Sequence, residues 1–352
     1  MSTSKKSRAL VICPGRGTYN KEELGYFQRF HAAKSDLLDV IDQQRQSLGQ
    51  PTIKSLDNAS SYSMKQHTAG ENASSLIYAC ARGDFLDINQ DRFDILAVTG
   101  NSMGWYITCA LANALNHENG SQLINTMGSM MTDGLIGGQL IYPIIDEDWH
   151  IQAKQQQLVL DAIAQVNQEP ECRAYESIRL GGYAVIGGNE KALKRLKQLL
   201  PEIDARYPMQ LFNHAAFHTP LLDGIVAKAQ KALPASLFTA PSLPMVDGEG
   251  HIWQPYSTDV HALHKYTLGT QVNCAYDFTQ AISVGIKEFA PDKLIILGPG
   301  ATLGGAVAQI LIKHQWFGLK NKSDFIARQK TDPVIISMGM EGQRNWAIDD
   351  LK

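Results

Sequence analysis

Short apolar runs alternate with longer stretches of helical period along much of the chain: "ALVIC" precedes "KEELGYFQRFHAAKSDLLDVI", "DILAVT" precedes "GWYITCALANAL", and "KLIILG" precedes "ATLGGAVAQILIKH". A short unbroken apolar run suits a strand covered on both faces, and a period near 3.6 suits the helix that covers it. The rhythm therefore predicts an α/β fold with a mainly parallel sheet. Each of these predicted strands ends at a glycine, at Gly15, Gly100 and Gly298, where open α/β sheets keep their ligand crevice. The middle reads differently. "QLIYPII" leads into the helical "DWHIQAKQQQLVLDAIAQV", and "YAVIGG" into "NEKALKRLKQLL". This predicts a small separate layer over 135–208, inserted into a large body made of 1–134 and 209–352. The tail from about Asp324 is weakly patterned and reads as a terminal extension.

Composition narrows the class. With 352 residues, 44% hydrophobic and 19% charged, the chain can bury a large core. A net charge of -3 supplies no broad basic field, so neither nucleic acid nor an anionic membrane surface is expected as the main partner. No apolar run approaches the ~20 residues that span a bilayer. The N-terminal apolar run stops at Pro14 and Gly15, too early for a secretory signal. Cys13, Cys80, Cys109, Cys172 and Cys274 are scattered and lack a C-x-x-C pair, which fits a reducing cytoplasm better than a disulfide or zinc framework.

Candidate chemistry centres on "TGNSMGW", where Ser102 stands between Gly100 and Gly104 directly after a predicted strand. In G-x-S-x-G the strand turns sharply into a helix, so the serine oxygen protrudes and the helix start offers unpaired N–H groups. A serine hydroxyl needs a base to act as a nucleophile. The chain has ten histidines, and "LFNHAAFHTPLL" holds His214 and His218. Their H-x-x-x-H spacing lacks the glutamate of a metalloprotease motif and a third ligand, so no metal is expected.

Five collinear segments, from about Arg8 to His314, resemble the malonyl-CoA:acyl-carrier-protein transacylases and the acyltransferase domains of polyketide synthases. "ICPGRGTY" resembles that family's F-P-G-Q-G-S-Q loop, and "TGNSMGWYITCALANAL" its A-G-H-S-L-G-E-Y segment. "AAFHTPLL" resembles A-F-H-S-x-x-M, and "LIILGPGATLGG" the E-x-G-P-G-x-x-L loop. "YAVIGGNEKAL" resembles a segment of the family's ferredoxin-like subdomain. The resemblance implies an α/β-hydrolase-like body with an inserted ferredoxin-like α+β layer. It also implies Ser102 as acyl-accepting nucleophile, His218 as base, and the backbone amides of Met103 and Arg16 as oxyanion hole. A backbone carbonyl within Gln271 to Asn273 would orient the histidine. Acyl-CoA would be the donor, an acyl carrier protein the acceptor through its phosphopantetheine thiol, and no further cofactor would be required.

The sequence departs from the family around the acyl group. Met127 stands where malonyl-transferring relatives carry an arginine, Asn101 replaces the histidine before the nucleophile, and Trp105 replaces a glutamate. Arg16 replaces a glutamine, and Asn72 aligns with a pocket-lining glutamine. A thioether cannot pair a carboxylate, so Met127 favours a neutral acyl group over malonyl. Two other readings stay open: Met127 and the rest of "MGSMM" as helix packing, and Arg16 as a relocated cation that keeps a dicarboxylic acyl group. An editing acyl hydrolase of the same fold and a weakly catalytic carrier-docking subunit are the alternatives to a fatty-acid or polyketide acyltransferase. An unrelated α/β-hydrolase would place an acid between serine and a late histidine, whereas His218 is mid-chain. "PGRGTY" lacks the G-K-[ST] ending of a phosphate loop.

Overall fold

The computed structural model describes residues 5–130 and 134–349; Met131 of the "MGSMM" stretch lies outside the described residues, as do both extreme termini. In chain order the strands are β1 (Ser7–Cys13), β2 (Phe93–Gly100), β3 (Gly138–Pro143), β4 (Ala174–Leu180), β5 (Tyr183–Gly188), β6 (Met209–Gln210), β7 (Met245–Val246), β8 (Ile252–Trp253), β9 (Tyr276–Asp277), β10 (Lys293–Ile296) and β11 (Ile335–Ser337). They form one sheet of order β11-β10-β1-β2-β7-β8 and a second of order β6-β3-β5-β4-β9.

The first sheet is parallel except for the β7–β8 hairpin. Its central strand β1 is sealed from solvent from Ala9 to Cys13, as an unbroken apolar run flanked by helices requires. In the second sheet, β3, the helix Ala153–Val166, β4, β5, the helix Glu190–Leu199 and β6 follow the β-α-β-β-α-β order of a ferredoxin-like layer. This layer has its own core around Leu140, Val166, Ile186 and Leu196.

The structure differs from the sequence pattern in three places. The strand "AYESIRL" breaks its alternation at a register shift between Glu176 and Ile178, which hides it from a period-2 reading. The small sheet also reaches beyond 135–208, taking β6 just past that span and β9 far from it, where β9 pairs in parallel with β4. The tail is not a loose extension. Its helix Lys322–Thr331 leads into β11, which completes the large sheet by pairing Leu294 with Ile335, a strand too short to show a period.

A buried ionic cluster ties the C-terminal helix Glu341–Ile348 to the centre of the large body. Asp84, fully buried, accepts from Tyr26 Oη (2.8 Å), from the Gly298 amide (2.7 Å) and from Arg344, and it contacts His31 Nε2 at 2.9 Å. Burial alone would push the His31 imidazole toward neutrality, but Asp84 and Asp87 outweigh it and raise its pKa. His31, Asp84 and Asp87 are the group closest to a metal-ligand arrangement among the described residues, yet Arg344 and Lys34 already neutralise the two carboxylates. Breaking such a pair leaves an uncompensated buried charge, so Asp84→Asn is expected to cost about 3–5 kcal/mol of unfolding free energy. Urea unfolding followed by circular dichroism checks this; a change under ~1 kcal/mol would mean the cluster is dispensable. Among the described residues, no helix is long and apolar enough to cross a membrane.

Candidate active site

The two sheets face each other across a cavity of about 560 Å³. One wall is the Gly15–Thr18 loop after β1 and the Asn101–Met103 turn after β2, both at carboxyl ends of parallel strands. The opposite wall comes from Gln139, Ile178 and Val185 of the small sheet, and the loop after β10 closes the rim with Thr302 and Leu303.

The turn after β2 is tight enough to dictate its residues. A Cβ at Gly100 would lie 2.4 Å from the carbonyl carbon and oxygen of Gly104, and one at Gly104 would lie 2.5 Å from the carbonyl oxygen of Cys13. Strand, turn and helix Gly104–Leu111 can converge only because both side chains are absent. Ser102 sits at the apex with φ +57°, a left-handed conformation that costs a non-glycine residue roughly 1–2 kcal/mol. Gly104→Ala is therefore expected to push the helix off β1, lower stability by about 1–3 kcal/mol and misplace the serine. Comparing thermal unfolding with serine labelling by a fluorophosphonate checks it; wild-type labelling would overturn the steric account.

Ser102 Oγ lies 2.6 Å from His218 Nε2, although the two residues are far apart in sequence. His218 Nδ1 lies 2.6 Å from the carbonyl oxygen of Gln271, which can only accept, so Nδ1 carries the ring proton and Nε2 presents a lone pair to the serine. Burial pushes the His218 pKa down to about 4, with the Gln271 carbonyl opposing it, so the ring is neutral at pH 7. The carbonyl is available because a π-helical turn, Tyr266–Thr270, runs into the short helix Gln271–Asn273, whose last carbonyls have no helical partner. Val272 supplies the next one, to the His218 amide at 3.1 Å.

Gln271 does more than the sequence suggested. Of the three candidate residues it provides the carbonyl, and its side-chain amide donates to the Ser102 carbonyl (3.0 Å) while accepting from Tyr106 Oη (2.7 Å). One residue thus braces both nucleophile and base. No motif marks a residue chosen partly for its backbone.

The amides of Arg16 and Met103 both belong to cavity-lining residues, and neither donates a hydrogen bond among the described residues. Asn101 lines the same cavity with its Oδ1 buried and without a hydrogen-bond partner among the described residues. Met127 is there too, beside Ile124, Gly128 and Met130.

Two expected pocket residues lie elsewhere. Trp105 is fully buried in the core, donating from Nε1 to Thr267 Oγ1 (3.0 Å) and meeting Tyr266 edge-on, so it supports the π-helical turn instead of touching an acyl group. Asn72 is buried against Arg45, accepts from its guanidinium and donates to the Gln66 carbonyl (2.9 Å). The helix Gly70–Asp87 turns that side chain toward the interface with Asp36–Ser47, away from the cavity.

His214 does line the cavity. Gln139 Nε2 donates to Ser177, which leaves Gln139 Oε1 to accept from His214 Nδ1 at 2.8 Å. Burial, then the neighbouring Arg16 charge, push the His214 pKa down to about 3.

No family model matches the chain. A polyketide biosynthesis malonyl CoA-acyl carrier protein transacylase of Bacillus subtilis is 25% identical over 217 residues, covering 60% of this chain and 68% of the relative. Among solved structures, malonyl-CoA:acyl carrier protein transacylase from Xanthomonas oryzae superposes with a TM-score of 0.74 at 16% identity, covering 98% of this chain and 99% of that one. An acyl-carrier-protein S-malonyltransferase from Burkholderia pseudomallei gives 0.73 at 18% identity, with coverage of 97% and 99%. In fold, and in the order of its sequence motifs, this chain is similar to the malonyl-CoA:acyl-carrier-protein transacylases.

Proposed function

We propose that the protein is an acyl-CoA:acyl-carrier-protein S-acyltransferase of fatty-acid or polyketide synthesis, working by ping-pong through an ester on Ser102. The observation that carries this is the relay from the Gln271 carbonyl through neutral His218 to Ser102 Oγ, at 2.6 Å on each side. Ser102 Oγ attacks the thioester carbonyl carbon and its proton passes to His218 Nε2. The oxyanion is held by the Arg16 and Met103 amides. The C–S bond breaks, coenzyme A leaves with the proton from Nε2, and the acyl ester remains. A carrier phosphopantetheine thiol then gives its proton to Nε2 and attacks the ester, and the proton returns to Oγ. The imidazolium that forms twice per cycle is stabilised by the carbonyl behind it.

The similar proteins support this reading, and one solved relative is a type II polyketide synthase acyl-carrier protein in complex with its malonyl-transacylase. Met127 in the cavity wall is the observation behind the expected neutral acyl group, but Arg16 lines the same cavity and its charge argues the other way. Neither residue alters the bond-breaking steps.

The test is product analysis after mixing the protein with acyl-CoA and a holo carrier protein. Acyl-carrier is expected to exceed free acid at least ~100-fold once the thiol acceptor is present, as transfer through a desolvated ester demands. Rapid turnover to free acid with no acceptor would identify an editing hydrolase, and no covalent acyl-protein at all would leave a docking subunit.

A further inference from the structure

Ser102 and His218 share a backbone feature: each has φ +57°, in the left-handed region. A non-glycine residue stays there only where its surroundings hold it. For both residues the hold comes from one stretch of chain, residues 271–276. Gln271 offers its carbonyl to His218 Nδ1 (2.6 Å) and its side-chain amide to the Ser102 carbonyl (3.0 Å), and the Val272 carbonyl accepts from the His218 amide at 3.1 Å. Tyr276 completes the hold on the near side of the serine. Its Oη donates to the Gly100 carbonyl at 2.6 Å, so carbonyls before and at the nucleophile are tied to the same stretch that orients the base.

Its neighbours fix where the Tyr276 side chain points. Asp277, next along β9, turns outward to Arg179 (3.1 Å) and caps the helix Phe278–Phe289 through the Gln280 amide (2.7 Å), and strand alternation sends Tyr276 inward. There the ring is buried beside the His218 ring, with centroids 5.4 Å apart. It fills the space a side chain at position 248 would need, since a Cβ built on Gly248 would lie 2.5 Å from it. Gly248 is held in place by the Asp277 amide, which donates to its carbonyl at 3.0 Å. Burial pushes the phenol pKa up, so Oη keeps its proton and donates to a carbonyl that can only accept. Tyr276 also pairs in register with Ile178 of β4, a residue of the cavity wall, so the small sheet and the nucleophile turn meet at this side chain.

We propose that Tyr276 is a positioning residue: its hydroxyl, anchored in the small sheet through β9, holds the Gly100 carbonyl and with it the left-handed turn that aims Ser102 Oγ at His218 Nε2. The proposal rests on the Ser102–His218 part of the acyl-transfer reading and is independent of the acyl group and of its acceptor. Without the hydroxyl the turn is free to relax toward ordinary backbone, and a reacting atom displaced by about 1 Å loses about 10²-fold in rate. A phenylalanine ring would keep the packing against His218 and Gly248, which separates the aim of the serine from the filling of the core.

The test is Tyr276→Phe labelled on Ser102 by a fluorophosphonate, with the maximal labelling rate and the half-saturating probe concentration measured separately. The maximal rate is expected to fall roughly 10- to 100-fold while the half-saturating concentration stays within about twofold, because the aim changes and the cavity does not. Tyr142→Phe is the matched control: Tyr142 is equally buried, donates its Oη to the Pro201 carbonyl (3.0 Å) and lies outside the cavity wall. Both variants should lose a similar few degrees of thermal midpoint, since each deprives a backbone carbonyl of a hydroxyl, but Tyr142→Phe should label at the parent's rate. A maximal rate for Tyr276→Phe within about twofold of the parent's, or an equal loss in Tyr142→Phe, would refute the positioning role. The acyl-transfer reading fails separately. A parent that takes the fluorophosphonate but gains no adduct from acetyl-CoA or malonyl-CoA counts against that reading alone, and slower labelling of Tyr276→Phe would still support the aiming of the serine.

Discussion

Ser102→Ala is expected to abolish the covalent acyl adduct and to lower acyl transfer by at least ~10³-fold. The loss is this large because, among the described cavity-lining hydroxyls, Ser102 is the one hydrogen-bonded to a histidine ring that can take its proton. His218 Nε2 is 2.6 Å from Oγ and is committed to that oxygen, since its other nitrogen is held by the Gln271 carbonyl. Cys13, whose carbonyl packs against Gly104 of this turn, is buried, and its pKa is pushed up to about 12 by desolvation, so its thiol is not a ready substitute. The alanine protein should keep its thermal midpoint, because Ser102 makes no other side-chain hydrogen bond among the described residues. Mass spectrometry after acyl-CoA exposure, paired with a thermal melt, makes the measurement. An adduct that survives in the alanine protein would locate the acyl group on another residue and remove the basis of the mechanism.

Some of this architecture is visible in the sequence because local physics sets it. The runs that become β1 and β10, and the second half of β2, are buried on both faces, and the glycines flanking Ser102 mark a steric necessity that the Gly100–Gly104 approach bears out. The small layer was legible through its two amphipathic helices. Other features depend on contacts between distant segments. β7, β8, β9 and β11 are only two or three residues long, and their existence follows from a neighbouring strand that offers unpaired groups, not from a period of their own. The carbonyl that fixes the His218 tautomer comes from a π-helical turn, and backbone geometry of that kind leaves no signature in side chains.

The pocket shows the same division. Met127, Asn101 and Arg16 do line the cavity, because each sits beside a fixed landmark, a helix crossing or a strand end. Trp105 and Asn72 do not line it. An indole in place of a carboxylate changes which way a side chain is driven, and the apolar ring turned into the core toward Tyr266 and Thr267. Asn72 is claimed by Arg45, a buried cation that collects carbonyl and amide oxygens, including Asn125 Oδ1 at 2.7 Å.

His218→Gln is expected to lower acyl loading by about 10²–10⁴-fold, the usual worth of a positioned general base. The pH dependence separates this role from a packing role. The active species is the neutral ring, and burial holds its pKa down at about 4. Loading by the parent should therefore stay nearly flat from pH 8 to about pH 5 and fall only as pH drops through about 4, whereas an ordinary histidine with pKa ~6.5 would already lose half its rate near pH 6.5. Stability has the same sign. The unfolded ring takes up its proton near pH 6.5 and the folded ring only near 4, so the contribution is complete above about 6.5 and is lost as pH falls toward 4. The parent's thermal midpoint should decline across that window, and His218→Gln should flatten the decline. Single-turnover loading after a pH jump, with circular dichroism recorded at each pH, isolates catalysis from unfolding. A loading profile that breaks near pH 6.5 while the fold is intact would mean that the ring is far better hydrated than its place behind Ser102 allows, and the buried relay would have to be abandoned.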